Sequence, residues 1–247
     1  MSLFSRTEML IGKERCKRLA QSHVAVFGLG GVGSYAVEAL ARAGIGKLSL
    51  MDMGLIQPSN INRQLFALQS TLHQPKTAIA QRRIKQINPD CEVIAHLDFA
   101  HVESFDKMLA TPPDIIIDAI DSLNPKIHLL QKAYEQKLPI ISSMGAGNKV
   151  DPSLIQVGDI SETKNCPLAR IIRKRLHRLE IYKGITCVYS LEIPSNDKDA
   201  PYFEAIKESE NFARGREREQ VGSISYIPPI FGFMAAGTAI RKLAEIA

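Results

Sequence analysis

The sequence predicts a doubly wound α/β fold, a mostly parallel sheet with an appended C-terminal layer. Two observations carry that prediction. Between Ser22 and Gly145, short β-branched runs alternate with amphipathic helical stretches, the order expected when helices cover both faces of a parallel sheet. The first run ends in a glycine cluster that opens a helix, which is how open sheets present backbone amides to a phosphate.

The elements follow in order. His23 to Gly28 is a short apolar run closed by glycine and reads as a buried strand. Ser34 to Ala43 reads as a helix stopped by Gly44. Lys47 to Asp52 is the second strand. Lys76 to Ile87 has apolar Ala80, Ile84 and Ile87 at helical spacing, and Asn88-Pro89 ends it. Glu92 to Leu97, Asp114 to Ile120 and Pro139 to Ser143 are further strands, with helices at His101 to Ala110 and Pro125 to Lys137. Beyond Gly145 the period changes. Leu154 to Ile160 and Ile185 to Leu191 read as strands, with a basic helix from Pro167 to Arg178 between them. Ser195 to Gly222 is polar and loop-like, with a helical insert around Tyr202 to Phe212. The apolar stretch Ile224 to Ile240 is expected to be a buried helix beginning after the Pro228-Pro229 turn.

Composition narrows the function classes. Of 247 residues, 45% are hydrophobic and 23% charged, which excludes disorder, collagen-like repeats and a disulfide scaffold. The net charge of +5 permits an anionic partner without demanding one. Cys16, Cys91, Cys166 and Cys187 form no CxxC pair, so neither a zinc knuckle nor an oxidising compartment is expected. The charged start lacks a signal-like apolar run, and Ile224 to Ile240 falls short of the roughly 20 residues that span a bilayer. A cytoplasmic protein is expected, with peripheral membrane contact as the lesser alternative.

Gly28-Leu29-Gly30-Gly31-Val32-Gly33 fits G-x-G-x-x-G between a strand and a helix. Glycines there allow a tight turn and close approach of backbone to phosphate, and the helix N-terminus adds partial positive charge. Asp52 closes the second strand, where a carboxylate reaches ribose hydroxyls. This Rossmann-like pattern says only nucleotide, and taken alone it points to a nicotinamide-dependent oxidoreductase. Three further segments argue otherwise: Pro58-Ser59-Asn60-Ile61-Asn62-Arg63-Gln64, Gln74-Pro75-Lys76 and Asp118-Ala119-Ile120-Asp121-Ser122. All lie at or just past strand ends. Arg63 and Lys76 can neutralise a triphosphate and the charge that develops as a phosphoryl centre is attacked. Asp121 can hold Mg²⁺, a hard cation that takes few carboxylates plus phosphate oxygens. Singly, each has a plainer reading: Arg63 in a surface ion pair, Lys76 as a helix-start residue, Asp121 as a helix cap. Together they favour ATP over a hydride carrier.

The glycine loop, the strand-end Asp, N-x-N-R-Q, the helix-opening Lys and the D-A-x-D strand end resemble the ubiquitin-activating-like adenylyltransferases. That superfamily includes the molybdopterin and thiamine biosynthesis adenylating enzymes. The resemblance runs from about Phe4 to the C-terminus. It implies one adenylating domain over 1–247, with an ATP-binding core at 22–145 and a substrate-binding part at 146–247. By the same match Gly28, Gly30, Gly31 and Asp52 bind nucleotide, Asn60, Arg63 and Lys76 the phosphates, and Asp121 the metal. Phe4-Ser5-Arg6 resembles the N-terminal element whose Arg reaches the phosphates of the opposite protomer, which implies a homodimer with Arg6 acting in trans. Gly54 departs from the pattern, since many relatives carry a second Asp there.

Ala41-Arg42-Ala43-Gly44-Ile45-Gly46, Gly145-Ala146-Gly147, Asp151-Pro152 and Tyr226-Ile227-Pro228-Pro229-Ile230-Phe231-Gly232 resemble, within the superfamily, the tRNA threonylcarbamoyladenosine dehydratases. That family uses ATP to activate the carboxylate of a threonylcarbamoyl group next to the anticodon, and cyclisation then expels AMP. The resemblance implies a tRNA bearing threonylcarbamoyladenosine as substrate, and admits a cysteine desulfurase or sulfur-acceptor partner. The basic helix suits an RNA. Arg170, Arg173, Lys174, Arg175 and Arg178 are expected to meet phosphates, with Ile171, Ile172, Leu176 and Leu179 turned to the protein. A solvated basic face is the plainer alternative. Arg214, Arg216 and Arg218 add charge, offset by Glu217 and Glu219. Cys187 is read as packed in its strand and Cys166 as more exposed; internal cyclisation needs no protein nucleophile. Adenylation of a small sulfur-carrier protein's C-terminus is the chief rival reading.

Overall fold

The computed structural model describes residues 3–98, 101–193 and 221–246. Two short helices open it, α1 (Ser5–Ile11) and α2 (Lys13–Gln21), neither of them among the elements expected from the sequence. Strand β1 (His23–Phe27) leads into α3 (Gly33–Arg42), then β2 (Lys47–Met51), α4 (Lys76–Ile87), β3 (Glu92–His96), α5 (Val102–Leu109), β4 (Ile115–Asp118), α6 (Leu123–Glu135) and β5 (Ile140–Ser143). Strand β6 (Ile155–Asp159), helix α7 (Pro167–His177), strand β7 (Thr186–Ser190) and helix α8 (Ile227–Leu243) complete the described chain. The expected strands and helices from His23 to Leu191 are therefore present, most of them shorter at their ends by one or two residues. The proposed helix around Tyr202 to Phe212, and Arg214, Arg216 and Arg218, lie outside the described residues.

The strands form one sheet in the order β3-β2-β1-β4-β5-β7-β6. All neighbours are parallel except β6, which pairs antiparallel to β7. The order reverses direction between β1 and β4, so a crevice opens at their carboxyl ends. Central strands are mostly apolar because helices cover both faces: β1, β4 and β5 are buried along their whole length. One face packs Leu40, Leu48, Ile56, Ile117 and Phe231 together; the other gathers Phe27, Phe105, Ile116, Leu130 and Ile172.

Helix α8 does not begin after Pro228-Pro229, as expected, but includes both in its first turn. The first-turn amides have no intrahelical partner, so prolines are tolerated there and preset the helical φ. The helix packs against α3 so closely that a Cβ on Gly232 would lie 2.3 Å from the Val32 carbonyl oxygen. The C-terminal layer is thereby locked onto the helix that carries the glycine loop.

Candidate active site

The glycine loop occupies the crevice at the end of β1. Gly28 has φ +88°, and a Cβ there would sit 2.6 Å from the Ala119 carbonyl oxygen, so strand geometry and close packing both require glycine. Gly30 differs. A Cβ there would meet nothing nearer than Gln64 Nε2 at 3.8 Å. The open side of Gly30 faces a space that the protein leaves for something else. Helix α3 starts here with no side-chain cap, and its first-turn amides are donors suited to an anion.

Asp52 ties the second strand to this loop. Its Oδ2 accepts from the Leu29 amide at 2.7 Å and its Oδ1 from the Gly54 amide at 2.6 Å. Each oxygen retains acceptor capacity for a ribose hydroxyl. A Cβ on Gly54 would be 3.0 Å from both Asp52 Oδ1 and Lys76 Nζ. The carboxylate and the ammonium are therefore at most 6.0 Å apart, across the position where many relatives of the resembled superfamily have an Asp. Lys76 opens α4, and its amide donates to the Gly54 carbonyl at 3.1 Å.

Arg63 lies over the loop: its Cγ is 3.3 Å from where a Gly31 Cβ would stand. Its Nη1 donates to the Ser59 carbonyl and to Asn62 Oδ1, both at 2.8 Å. Asn60 is buried, and its Oδ1 accepts from the Gln57 amide at 3.1 Å, so this side chain shapes the turn that presents Arg63. The returning chain closes the rim. Asn62 Nδ2 donates to the Ser223 carbonyl at 3.3 Å, and Tyr226 donates to the Val150 carbonyl at 2.8 Å.

On the other side of the crevice, Asp121 follows β4 as an exposed carboxylate beside Ser122, the N-cap of α6. Beneath it lies a buried set that the sequence reading did not single out. Asp118 Oδ2 accepts from Lys126 Nζ and from Ser142 Oγ, each at 2.6 Å, and Oδ1 accepts from the Ile120 amide at 3.0 Å. Among the described residues no group of three metal-ligating side chains gathers. One carboxylate such as that of Asp121 suits Mg²⁺, which keeps waters and takes its remaining ligands from phosphates.

This edge therefore combines an uncapped helix start, a ribose-height carboxylate and two cations on either side of the loop. The ThiF family model matches residues 4–247. The chain belongs to the ThiF family. Among curated relatives of this ThiF-family chain, the tRNA threonylcarbamoyladenosine dehydratase of Bacillus subtilis (strain 168) is 39% identical over 242 residues, spanning 98% of this chain and 94% of that protein. The enzyme of the same name from Escherichia coli (strain K12) is 35% identical over 250 residues, spanning 97% and 92%. The solved structure of E. coli tRNA N6-threonylcarbamoyladenosine dehydratase, TcdA, in complex with ATP superposes with a TM-score of 0.85 at 32% identity, covering 98% of this chain and 93% of that one.

The remaining sequence-predicted residues of this ThiF-family chain divide. Arg6 is exposed on α1, and its neighbour Phe4 packs on Gly44, at the far end of α3 from the glycine loop. A ten-residue helix is about 15 Å long, so the fold does not bring Arg6 to its own loop. On α7, Arg170, Lys174 and Arg178 are exposed, but Arg173 and Arg175 are half-buried. Arg173 Nη1 donates to the Thr163 carbonyl at 2.7 Å and to its hydroxyl, and Arg175 donates to Asn124 at the start of α6. Those two guanidiniums anchor the helix instead of facing outward. The expected inward face also needs correction: Ile172 and Leu176 are buried with Ala169, but Ile171 is 43% and Leu179 39% exposed, because Ile171 lies on the opposite side of the helix and Leu179 follows its end.

The cysteines are all unpaired thiols, Cys16 half-buried and the others buried. Cys187 is packed, as expected, and burial pushes its thiol pKa strongly up. Cys166 is not the more exposed thiol expected: it is 5% exposed, and its Sγ accepts from the Ala169 amide at the start of α7. Of the four thiols, Cys16 on α2 is the one with solvent access. Lys149, unremarked in the sequence, is buried with Nζ 2.8 Å from the Glu192 carbonyl oxygen, and burial lowers its pKa. Among the described residues no helix is long and apolar enough to cross a membrane.

Proposed function

We propose that this protein dehydrates N6-threonylcarbamoyladenosine next to the anticodon of tRNA, using ATP to adenylate its carboxylate. The observation that supports this most is the placement of Arg63 over Gly31 and of Lys76 beside Asp52. Two cations beside the loop suit attack on a phosphoryl centre, where negative charge develops in the transition state; the phosphates of a hydride carrier develop no such charge. Relatives that carry the dehydratase name match along nearly the whole chain.

The chemistry follows from those positions. The loop amides at Gly30 and Gly31 and the carboxylate of Asp52 hold the nucleotide. Arg63 and Lys76 orient the phosphates while a carboxylate oxygen of the substrate attacks the α-phosphorus and pyrophosphate leaves. Asn60 fixes the turn beneath Arg63. Asp121 would hold Mg²⁺, which supplies charge neutralisation at the phosphates when bound. Ring closure at the activated carbonyl then expels AMP, for a net loss of one water. This step is intramolecular, so catalysis is mainly positioning. Arg6 completes the site of the second protomer in a homodimer. The core at 22–145 binds ATP, and the part at 146–247 receives the tRNA, with Arg170, Lys174 and Arg178 on its phosphates and Arg173 and Arg175 holding the helix in place.

The test is mass analysis of nucleosides after incubation with Mg·ATP and threonylcarbamoyladenosine-bearing tRNA, under mild hydrolysis. Loss of one water from that nucleoside, only with ATP, is expected. An unchanged nucleoside with folded, ATP-competent protein would overturn the reading.

A further inference from the structure

The outward face of α7 carries more than charge. Exposed Arg170, Ile171, Lys174 and His177, with Arg178 at the C-cap, form a single stripe at helical spacing. Arg170, Lys174 and Arg178 recur every four residues, so they step along the helix by about 6 Å, comparable with the step between successive phosphates of one nucleotide strand. From Lys164 to Leu191 there are seven Lys and Arg and one acidic residue, Glu180. None of the ion pairs formed among the described residues involves the three stripe cations. The helix is also held at the catalytic edge twice, through Arg175 on Asn124 and through Leu168, whose Cβ would be 3.8 Å from a Cβ on Gly145.

Apolar and aromatic surface is interleaved with those cations. Ile171 is 43% and Tyr182 57% exposed. The Tyr182 ring leans on the His177 ring, centroids 5.1 Å apart at 46°, so the ring is held beside the end of the stripe. A plain solvated face needs only the charges. A phosphate track ending at an exposed, braced aromatic ring matches a strand with an unstacked base, which gains from stacking and cation contact together.

We propose that Tyr182, braced by His177, is a stacking platform for an unpaired base of the substrate RNA, with Arg170, Lys174 and Arg178 on the phosphates leading to it. The proposal rests on the tRNA reading above and names how the single-stranded part of that RNA is gripped. Fluorescence anisotropy with a labelled anticodon stem-loop and a fully paired RNA duplex tests it. Tyr182→Ala should weaken stem-loop binding at least about fivefold, leave duplex binding unchanged, and leave the salt slope of log K unchanged. Tyr182→Phe should bind as wild type. Lys174→Gln should instead weaken both RNAs and reduce the salt slope by nearly one. Tyr182→Ala binding the stem-loop as wild type, or losing both RNAs equally, overturns the platform while the dehydratase reading stands on its nucleoside assay. Wild-type protein that binds neither RNA also overturns the platform, and the nucleoside assay alone then decides the dehydratase reading.

Discussion

Lys126 and Asp118 expose no side-chain surface, and their ammonium and carboxylate meet at 2.6 Å below the nucleotide edge. The pair joins α6 to the end of β4. Through its second oxygen Asp118 holds the Ile120 amide, and so sets the turn that presents Asp121. Removing one partner leaves the other charge buried and unpaired, which costs about 3 to 5 kcal/mol. Lys126→Met should therefore lower stability by that amount in urea unfolding and lower adenylation with it. A variant as stable as wild type would show that the pair is dispensable.

The glycines of the loop separate folding from binding. Gly28→Ala puts a methyl group 2.6 Å from the Ala119 carbonyl oxygen at φ +88°, so a clear loss of thermal stability is expected. Gly30→Ala meets nothing nearer than 3.8 Å and should fold as wild type while losing ATP affinity, measured by titration calorimetry. Normal ATP binding by Gly30→Ala would mean the nucleotide does not lie against Gly30.

Glu38 on α3 is clasped by Arg42 of its own helix and by Arg83 of α4, each donating to its Oε1 at 2.8 Å, with a second bond from Arg83 to Oε2 at 3.0 Å. Burial works to raise its pKa, but the hydrogen bonds and charges of the two arginines outweigh it and hold the carboxyl below the usual glutamate range. A depressed folded pKa contributes stability above the unfolded glutamate value, and that contribution is lost as pH falls through the folded value. Glu38→Gln should thus melt below wild type at pH 7, with the two curves converging in acid. Parallel melting temperatures across pH would remove Glu38 from the account.

How much of this was legible beforehand depended on whether local pattern decides the outcome. β-Branched runs bounded by glycine or proline mark the strands, because a strand buried on both faces is mostly apolar and carries a polar residue only where it finds a partner, as Asp118 and Ser142 do at the ends of β4 and β5. The glycine loop, Asp52, Arg63 and Lys76 could be placed because strand ends and helix starts fix them within a few residues. Partners distant in sequence were not visible. Arg173 and Arg175 read as two more surface charges until Thr163 and Asn124 came beside them. Lys126 reads as an ordinary helical lysine unless β4 is known to end in Asp118 directly beneath it. Helices α1 and α2 escaped notice because little of them is buried, Leu19 alone in α2 and nothing in α1.

Cys187 separates internal cyclisation from a thioester mechanism. A nucleophilic thiol needs access and thiolate character, and this one is fully buried with its pKa raised. Cys91, pushed up to about 11 by burial, is no better placed. In native protein, iodoacetamide should label Cys16 first and the other three only on unfolding. Cys187→Ser should dehydrate the tRNA nucleoside at close to the wild-type rate. Loss of activity with the fold intact, or an acyl adduct on Cys187, would restore the carrier-protein reading.

The position of Arg6 makes the dimer testable by complementation. Arg63→Ala, Lys76→Ala and Arg6→Ala should each slow ATP–pyrophosphate exchange by roughly 100-fold, the scale seen when one preorganised donor is removed, with far-UV circular dichroism unchanged. If Arg6 serves the partner's site, a mixed dimer of Arg6→Ala and Lys76→Ala chains holds one site with both cations intact and one with neither. Random assortment makes half the dimers mixed, so mixing the two inactive variants should restore about a quarter of the wild-type rate. If Arg6 instead worked within its own chain, every site in the mixture would lack one cation, and mixing would restore nothing.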